Sequence, residues 1–501
     1  MKTLIIRADA KPESGTGHVM RCLALAQAWM DNGGEVVFIS HCESDALRER
    51  IAAGGIDLIP LDKPHPDPLD LDFTISRLNK LKAQNSTRET WLVVDGYHFD
   101  AGYQKSIKAA GYRLLWIDDY GHAAHYYADL VLNQNISADP SLYSNREPYT
   151  QLLMGTRYAL LRREFKRWQG WQREIPAMAR KVLVTLGGAD PDNITLKAVQ
   201  ALKQVEVPGL EAKIAVGPAN PHRELLKKEI GANSNVELLV NVTNMPELIA
   251  WADIAVSAGG STCWEQAFMG LPGIILIIAE NQRANAELLG RQGIAMNLGW
   301  HQDLSVERIA SQLKHLMINS ESRSLMSQQG QNLVDGYGGW RLCNLIAGET
   351  LKLRPVLAED SERVWKWAND DSVRAASFSG AFIPWEEHLR WFQERINRPF
   401  FYLALNQDDL PVGQVRFDQK EEETVISVMI DGALHNRGYG VTLIRTACEK
   451  IFLNPDVKAI HAYVKPDNEA SRKAFIRAGF KEMRNDVQHG YPASHFILVK
   501  C

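Results

Sequence analysis

The chain has 501 residues, of which 45% are hydrophobic and 23% charged, with a formal net charge of -4. A length beyond roughly 250–300 residues exceeds what one core fills, so two or three domains are expected. The composition excludes a disordered chain, and the slightly acidic balance lacks the basic excess that a nucleic-acid partner requires.

The 6 cysteines show no pair at metal-ligand spacing, which points to neither a zinc site nor a disulfide framework. Apolar runs are too short for a signal-peptide core or a bilayer span, so a cytoplasmic protein without membrane insertion is expected.

In chain order, short apolar runs alternate with amphipathic segments: Thr3–Ile6, a helix from about Gly17, Glu35–Ile39, Trp91–Val94 and Leu114–Ile117. That rhythm predicts a parallel α/β sheet. A second series runs through Lys181–Leu186, Lys213–Val216, Val236–Leu239, Ile254–Val256 and Ile274–Ile278 and predicts a second α/β unit. Between them, the polar stretch Asn145–Pro148 and the Arg- and Trp-rich segment Arg162–Arg173 read as a linker followed by a surface helix.

After about Ala347 the pattern changes to a strand at Leu353-Arg354-Pro355, helices around Trp365 and over Trp385–Ile396, and meander-like strands at Phe400–Asn406, Val412–Asp418 and Thr424–Ile430, with a turn at Gln407-Asp408-Asp409. The expected organisation is therefore residues 1–157 and 158–347 as two α/β domains and 350–501 as an α+β domain.

Three glycine turns follow strands and open helices. Gly15-Thr16-Gly17-His18 leads into a helix carrying Val19, Cys22, Leu23 and Ala26. Glycines let a backbone approach a ligand, and the unpaired N–H groups of a helix start hold an anion, so this is a diphosphate site in outline. His18 in the first turn is then placed to act as a base, with Arg21 one turn on. A plain turn with a capping histidine would use the same residues.

Leu186-Gly187-Gly188-Ala189-Asp190-Pro191 repeats the arrangement, as does Ser257-Ala258-Gly259-Gly260-Ser261-Thr262-Cys263-Trp264-Glu265. Glu265 reads equally as an acceptor for a ribose diol and as a surface acid favoured at a helix start.

Taken together, Arg7-x-Asp9 with Gly15-x-Gly17-His18-x-x-Arg21, Gly187-Gly188-x-Asp190-Pro191, the Ser257–Glu265 segment and Glu280-Asn281-Gln282 resemble the UDP-2,4-diacetamido-2,4,6-trideoxy-β-L-altropyranose hydrolases of pseudaminic acid synthesis. Lesser matches are Asp95-Gly96-Tyr97, Ile117-Asp118-Asp119, Leu132-Asn133-Gln134-Asn135 and Gly155-x-x-Tyr158-Ala159-Leu160-Leu161. The resemblance covers residues 1 to about 345 and implies two Rossmann-like domains in a GT-B arrangement. It implies His18 as catalytic base without a metal. The UDP and sugar pocket would use Asp9, Gly15, Gly17, Arg21, Gly188, Asp190, Met245, Gly260, Ser261, Thr262, Glu265, Asn281 and Gln282. A glycosyltransferase acting on an acceptor other than water shares the same cleft.

Further on, His435-Asn436-Arg437-Gly438-Tyr439-Gly440 opens a helix with Leu443, Ile444, Ala447 and Ile451 on one face. A strand Ala459–Val464 follows, then Pro466-x-Asn468-x-x-Ser471-Arg472-x-x-Phe475. This order resembles the GNAT N-acetyltransferases from about Leu353 to Leu498. Within that superfamily, Trp367-Ala368-Asn369-Asp370, Arg374, His388 and Gly413-Gln414-Val415-Arg416-Phe417 resemble the branches that acetylate sugar nucleotides and ribosomal proteins.

The resemblance implies acetyl-CoA as co-substrate, held by Ile430, Arg437, Gly438, Tyr439, Gly440, Asn468 and Arg472. One departure stands out: Phe475 occupies the place of a tyrosine that protonates the departing thiolate. Either another group or solvent then does this job or the acetylation is slow, with Tyr463 and Tyr439 as candidate substitutes and Glu421–Glu423 as candidates for the base. Trp365, Trp367, Trp391 and His388 read as core.

Overall fold

The computed structural model describes residues 3–10, 16–84, 90–188, 190–218, 220–231, 235–347, 351–406, 409–420, 423–435, 439–488 and 490–500. Two compact units divide the chain, Met1–Ala347 and Gly348–Cys501. Among the described residues no helix is long and apolar enough to cross a membrane.

The first unit holds two parallel sheets. One contains β1 (Thr3–Ala8), β2 (Glu35–Ser40), β3 (Asp57–Pro60), β4 (Trp91–Asp95), β5 (Arg113–Ile117), β6 (Leu130–Asn133) and β7 (Gln151–Met154) in the order β3-β2-β1-β4-β5-β6-β7. The other contains β8 (Lys181–Thr185), β9 (Glu211–Val216), β10 (Val236–Val240), β11 (Ile254–Ala258), β12 (Gly273–Ile277) and β13 (Met296–Trp300) in the order β10-β9-β8-β11-β12-β13.

The central strands are predominantly apolar and buried along their whole length, as a sheet covered by helices on both faces requires. In each sheet the order reverses beside the first strand, and a crevice opens outside the carboxyl ends of such strands. The last helix of the unit, Gly338–Ala347, packs Leu342, Cys343 and Ile346 into the core of the first sheet, so the chain crosses back after completing the second.

The second unit is one mixed sheet, β14 (Lys352–Pro355), β15 (Phe401–Leu405), β16 (Pro411–Lys420), β17 (Glu423–Ile430), β18 (Ala459–Val464), β19 (Lys481–Gln488) and β20 (Tyr491–Val499), ordered β14-β15-β16-β17-β18-β20-β19. All neighbours are antiparallel except β17 and β18. Helix Tyr439–Ile451 buries Leu443, Ile444, Ala447 and Ile451 against Ile460, Ala462 and Phe496. Val364, Trp367 and Phe392, from helices Ser361–Ala368 and Trp385–Ile396, pack with Phe401 and Leu403 in a separate core. His388 is buried with Nε2 2.9 Å from the Ser361 carbonyl, a core histidine as expected.

Six strands, β3, β6, β7, β13, β19 and β20, are absent from the sequence-based series, and the first four span only four or five residues each. The segment read as a surface helix is a 3-10 turn, Arg163–Trp168. Arg162 and Phe165 are buried beside it because they face the second sheet's core and its ion pairs. The predicted turn residues Gln407 and Asp408 lie outside the described residues.

At the end of β5, Asp118 fixes the loop that follows. Its Oδ1 accepts the N–H groups of Asp119, Tyr120 and Gly121 at 2.6, 3.0 and 3.1 Å, and its Oδ2 accepts the Tyr126 hydroxyl. Burial pushes this carboxyl up, but His122, Tyr126 and the backbone donors outweigh it and hold it at about 2. A depressed carboxyl stabilises the fold fully above its ordinary value and loses that contribution as pH falls through the lowered one. The shift corresponds to about 2 kcal/mol. Stability measured by urea unfolding should therefore decline between about pH 4 and pH 2, and Asp118→Asn should be less stable at neutral pH with a shallower acid decline.

Candidate active site

Gly17 and His18 begin the helix Gly17–Asp31, whose N-cap Thr16 makes no side-chain cap bond, so the first-turn N–H groups lack that internal partner. His18 is buried and places Nδ1 2.7 Å from Asp95 Oδ1 at the end of β4. Arg21, one turn along, grips the same carboxylate through Nε and Nη2 at 2.6 and 2.7 Å, and its Nη1 reaches both oxygens of Asp119 at 2.7 and 2.9 Å.

Burial alone would push Asp95 up, but Arg21 and His18 hold its carboxyl well below the usual range. An ionised carboxylate only accepts, so in the neutral imidazole the Nδ1 carries the hydrogen and Nε2 keeps the lone pair.

Around the imidazole, the Tyr97 ring stands edge-on to His18 at 4.7 Å, its hydroxyl donates to Asp119, and Asn135 Nδ2 donates to the same carboxylate at 2.7 Å. Asn281 Nδ2 reaches the Tyr97 oxygen at 3.0 Å, and Asn285 Oδ1 accepts from the Ser137 hydroxyl at 2.8 Å, so the two lobes meet across the cleft by direct hydrogen bonds.

The cleft measures about 560 Å³, within the range of small-ligand sites. From the second lobe it is lined by Gly188, Met245, Gly260, Ser261, Thr262, Asn281 and Gln282. The helices starting at Thr262 and Arg283 also lack side-chain caps, which brings three such helix starts to one cleft. Glycine is needed where backbones crowd: a Cβ on Gly217 would sit 2.2 Å from the Gly188 carbonyl oxygen.

At one end of the cleft, Arg162 donates to Glu265 Oε1 from Nε and Nη2 at 3.1 and 2.7 Å. Burial pushes the Glu265 carboxyl above its ordinary range against the pull of Arg162. Arg50, from the first lobe, joins the group through Glu164 at 2.8 Å and the Thr243 carbonyl at 3.2 Å. Glu265 is thus neither a surface acid nor isolated.

Of the expected pocket residues, Gly17, His18, Arg21, Gly188, Asp190, Met245, Gly260, Ser261, Thr262, Glu265, Asn281 and Gln282 line this cleft. Asp190 does so as a cap, with its two oxygens accepting from Ile194 and Thr195 N–H at 2.8 and 2.9 Å. Asp9 differs from expectation. It is 1% exposed, paired with Arg7 at 2.5 Å and accepting from His41 and His65 N–H, so it braces the loops rather than facing the cleft. Gly15 lies outside the described residues. Sequence reasoning misses Asp95, Tyr97, Asp119, Asn135 and Arg162. The first four belong to the lesser matching motifs at the carboxyl ends of parallel strands, a position that is itself a signal of a ligand crevice.

In the second unit, Tyr439 and Gly440 begin the helix Tyr439–Ile451, and among the described residues a Cβ on Gly440 would meet Ile430 Cγ1 at 4.0 Å. Arg437 and Gly438 lie outside the described residues. Asn468 caps the helix Glu469–Arg477 by accepting from Ser471 N–H at 3.0 Å, and Arg472 pairs with Glu482 at 2.8 Å. Phe475 is buried against Phe480 and Phe496.

Residues 182–335 match the glycosyltransferase family 28 C-terminal domain, and residues 350–481 match the acetyltransferase (GNAT) domain. A Methanocaldococcus jannaschii protein described as uncharacterized is 23% identical over 97% of this chain and 97% of its own. The Campylobacter jejuni UDP-2,4-diacetamido-2,4,6-trideoxy-beta-L-altropyranose hydrolase is 24% identical over 58% of this chain and 97% of its own. A solved structure from Listeria monocytogenes, described as a UDP-N-acetylglucosamine 2-epimerase, shares the fold of the first unit. It is 12% identical with a TM-score of 0.50 over 69% of this chain and 96% of its own. The chain is therefore a fusion of a GT-B unit, whose second lobe carries the family 28 C-terminal domain and which is related to the altropyranose-type hydrolases, with a GNAT acetyltransferase domain.

Proposed function

We propose that the first unit hydrolyses UDP-2,4-diacetamido-2,4,6-trideoxy-β-L-altropyranose to UDP and the free sugar without a metal. The second unit would make that compound by acetylating the 4-amino group of its precursor from acetyl-CoA, two consecutive steps of pseudaminic acid synthesis. The hydrolytic reading rests on one observation above all, the His18 imidazole whose Nδ1 is fixed by Asp95 while the ring lines a cleft supplied with uncapped helix starts.

The diphosphate leaves as a stabilised anion because backbone N–H groups at the helix starts meet its charge. What the protein must add is a proton acceptor for water attacking the anomeric carbon, and His18 Nε2 is the ring nitrogen left for it. Arg21 and Asp119 keep Asp95 in place, and Asn281 and Glu265 would hold sugar and ribose hydroxyls. A UDP-dependent glycosyltransferase would use the same nucleotide contacts, so the product decides between the two readings.

His18→Ala should lower UDP release from this substrate by on the order of 10²–10⁴-fold while UDP still binds within a few-fold of wild type by calorimetry. Free sugar should be the product by mass spectrometry, with chelators without effect. Wild-type turnover by the variant, or glycoside formation on added acceptors in place of free sugar, overturns the reading.

For the second unit, the supporting observation is the glycine-opened helix start at Tyr439-Gly440, standing at the end of β17 where its pairing with β18 has ceased. Unpaired strand edges there offer hydrogen-bond partners to the amides of an extended arm, and the helix start offers N–H groups to a pyrophosphate. Gly440→Trp should weaken acetyl-CoA binding at least tenfold in a titration while leaving UDP release by the full chain within twofold. Unchanged binding by a folded variant overturns this placement.

A further inference from the structure

β17 and β18 pair only at Thr424 with Ile460 and at Val425 with His461, whereas β17 stays paired with β16 as far as Ile430, and β18 with β20 as far as Val464. The sheet therefore forks, and His461 stands at the last paired position. Strand alternation sends Ile460, Ala462 and Val464 into the core with the helix Tyr439–Ile451, and His461 and Tyr463 to the opposite face.

A polar cluster occupies that face. His461 Nδ1 lies 2.9 Å from His495 Nε2 and 3.6 Å from Glu423 Oε1. The Tyr463 hydroxyl donates to Glu423 Oε2 at 3.0 Å, and its ring stacks on His495 at 4.7 Å with 11° between planes. Four titratable side chains from three neighbouring strands at an opening in the sheet exceed what packing needs and mark a site of chemistry.

Resting on the acetyl-transfer reading, we propose that His461 Nε2 accepts the proton of the acetyl-accepting amine, with His495 and Glu423 as positioning residues. With the hydrogen on His461 Nδ1 directed to His495 Nε2, His461 Nε2 keeps its lone pair. The amine nitrogen bonds to the thioester carbonyl carbon, and the C–S bond breaks with its electron pair passing to sulfur. The proton shed by nitrogen goes to His461 and from there to solvent, which also supplies the thiolate's proton. The imidazolium formed faces the Glu423 carboxylate.

Burial lowers His461 from its ordinary value, opposed by Glu423 and aided by His495, so the accepting form is present near neutral pH. The charged and titratable groups acting here are Glu423 on β17, Tyr463 on β18, His495 on β20 and, through Tyr463, Asp486 on β19. Tyr463 is pushed up to about 12 by burial and by Glu423, so it stays protonated and holds Glu423 in place.

The test uses the full chain, acetyl-CoA and a UDP-linked 4-amino-4,6-dideoxy sugar, following coenzyme A release over a range that begins well below the ordinary histidine value and extends to pH 9. His461→Asn should lower kcat by on the order of 10²–10³-fold, leave the acetyl-CoA KM within threefold, and abolish the acid limb of the pH profile. His461→Ala should regain activity with added imidazole, and His495→Asn should shift the acid limb while keeping part of kcat. A second substitution, His461→Gln, covers a folding defect in the first, with thermal melts as control. Wild-type kcat and an unchanged profile in the folded variants overturn the role of His461 alone. A wild-type chain that transfers no acetyl group to the amino sugar, or to any amine, overturns the acetyl-transfer reading and this role with it.

Discussion

A carboxylate sealed from water is held ionised by Arg21 and His18, and the first unit's site is built outward from that Asp95 group. Burying a charge without partners costs several kcal/mol, so the carboxylate persists only because a guanidinium fork and an imidazole N–H meet it directly. Both partners lie on one helix, one turn apart, so the helix Gly17–Asp31 cannot rotate or shift without breaking the pairing. The same Arg21 extends to Asp119, which collects Asn135 and Tyr97, and Tyr97 meets Asn281 of the second lobe. One ion pair thereby aligns β4, β5, β6, the first helix and the far wall of the cleft.

The second lobe is assembled by the same topology but with a different distribution of charge. Of the helix starts that follow strands beside its cleft, the one at Ile194 is filled by Asp190. Capping that helix internally removes it as an anion site and leaves the starts at Thr262 and Arg283 to face the cleft. The Arg162, Glu265, Glu164 and Arg50 group then ties the connecting segment to both lobes with balanced charge, which a buried cluster requires.

Apolar runs exposed the central strands of both parallel sheets because each is predominantly apolar, and Ala459–Val464 was legible to the residue. The shortest strands were not, since β6 and β7 carry four residues each and no alternation distinguishes them from loop. Motif spacing placed His18 and Arg21 on one helix face, but the partner that gives them meaning is more than 70 residues away in sequence. A longer separation, 103 residues, hid Arg162 from Glu265. Asp9 entered the expected pocket only through the family resemblance, and the fold shows that Arg7, His41 and His65 already occupy it.

The two units open their sheets to ligands in different ways, and the difference matches the shapes they would hold. In a parallel sheet every strand stays paired to its end, so the crevice lies beyond the strands and accepts a compact group such as a nucleotide diphosphate. In the mixed sheet, β17 and β18 separate while each keeps its other neighbour, so the opening runs along the strands and suits an extended chain. Phe475 packs with Phe480 and Phe496 beneath the sheet, where a hydroxyl would need a partner, whereas His461, Tyr463, His495 and Glu423 gather on the opposite face at the fork.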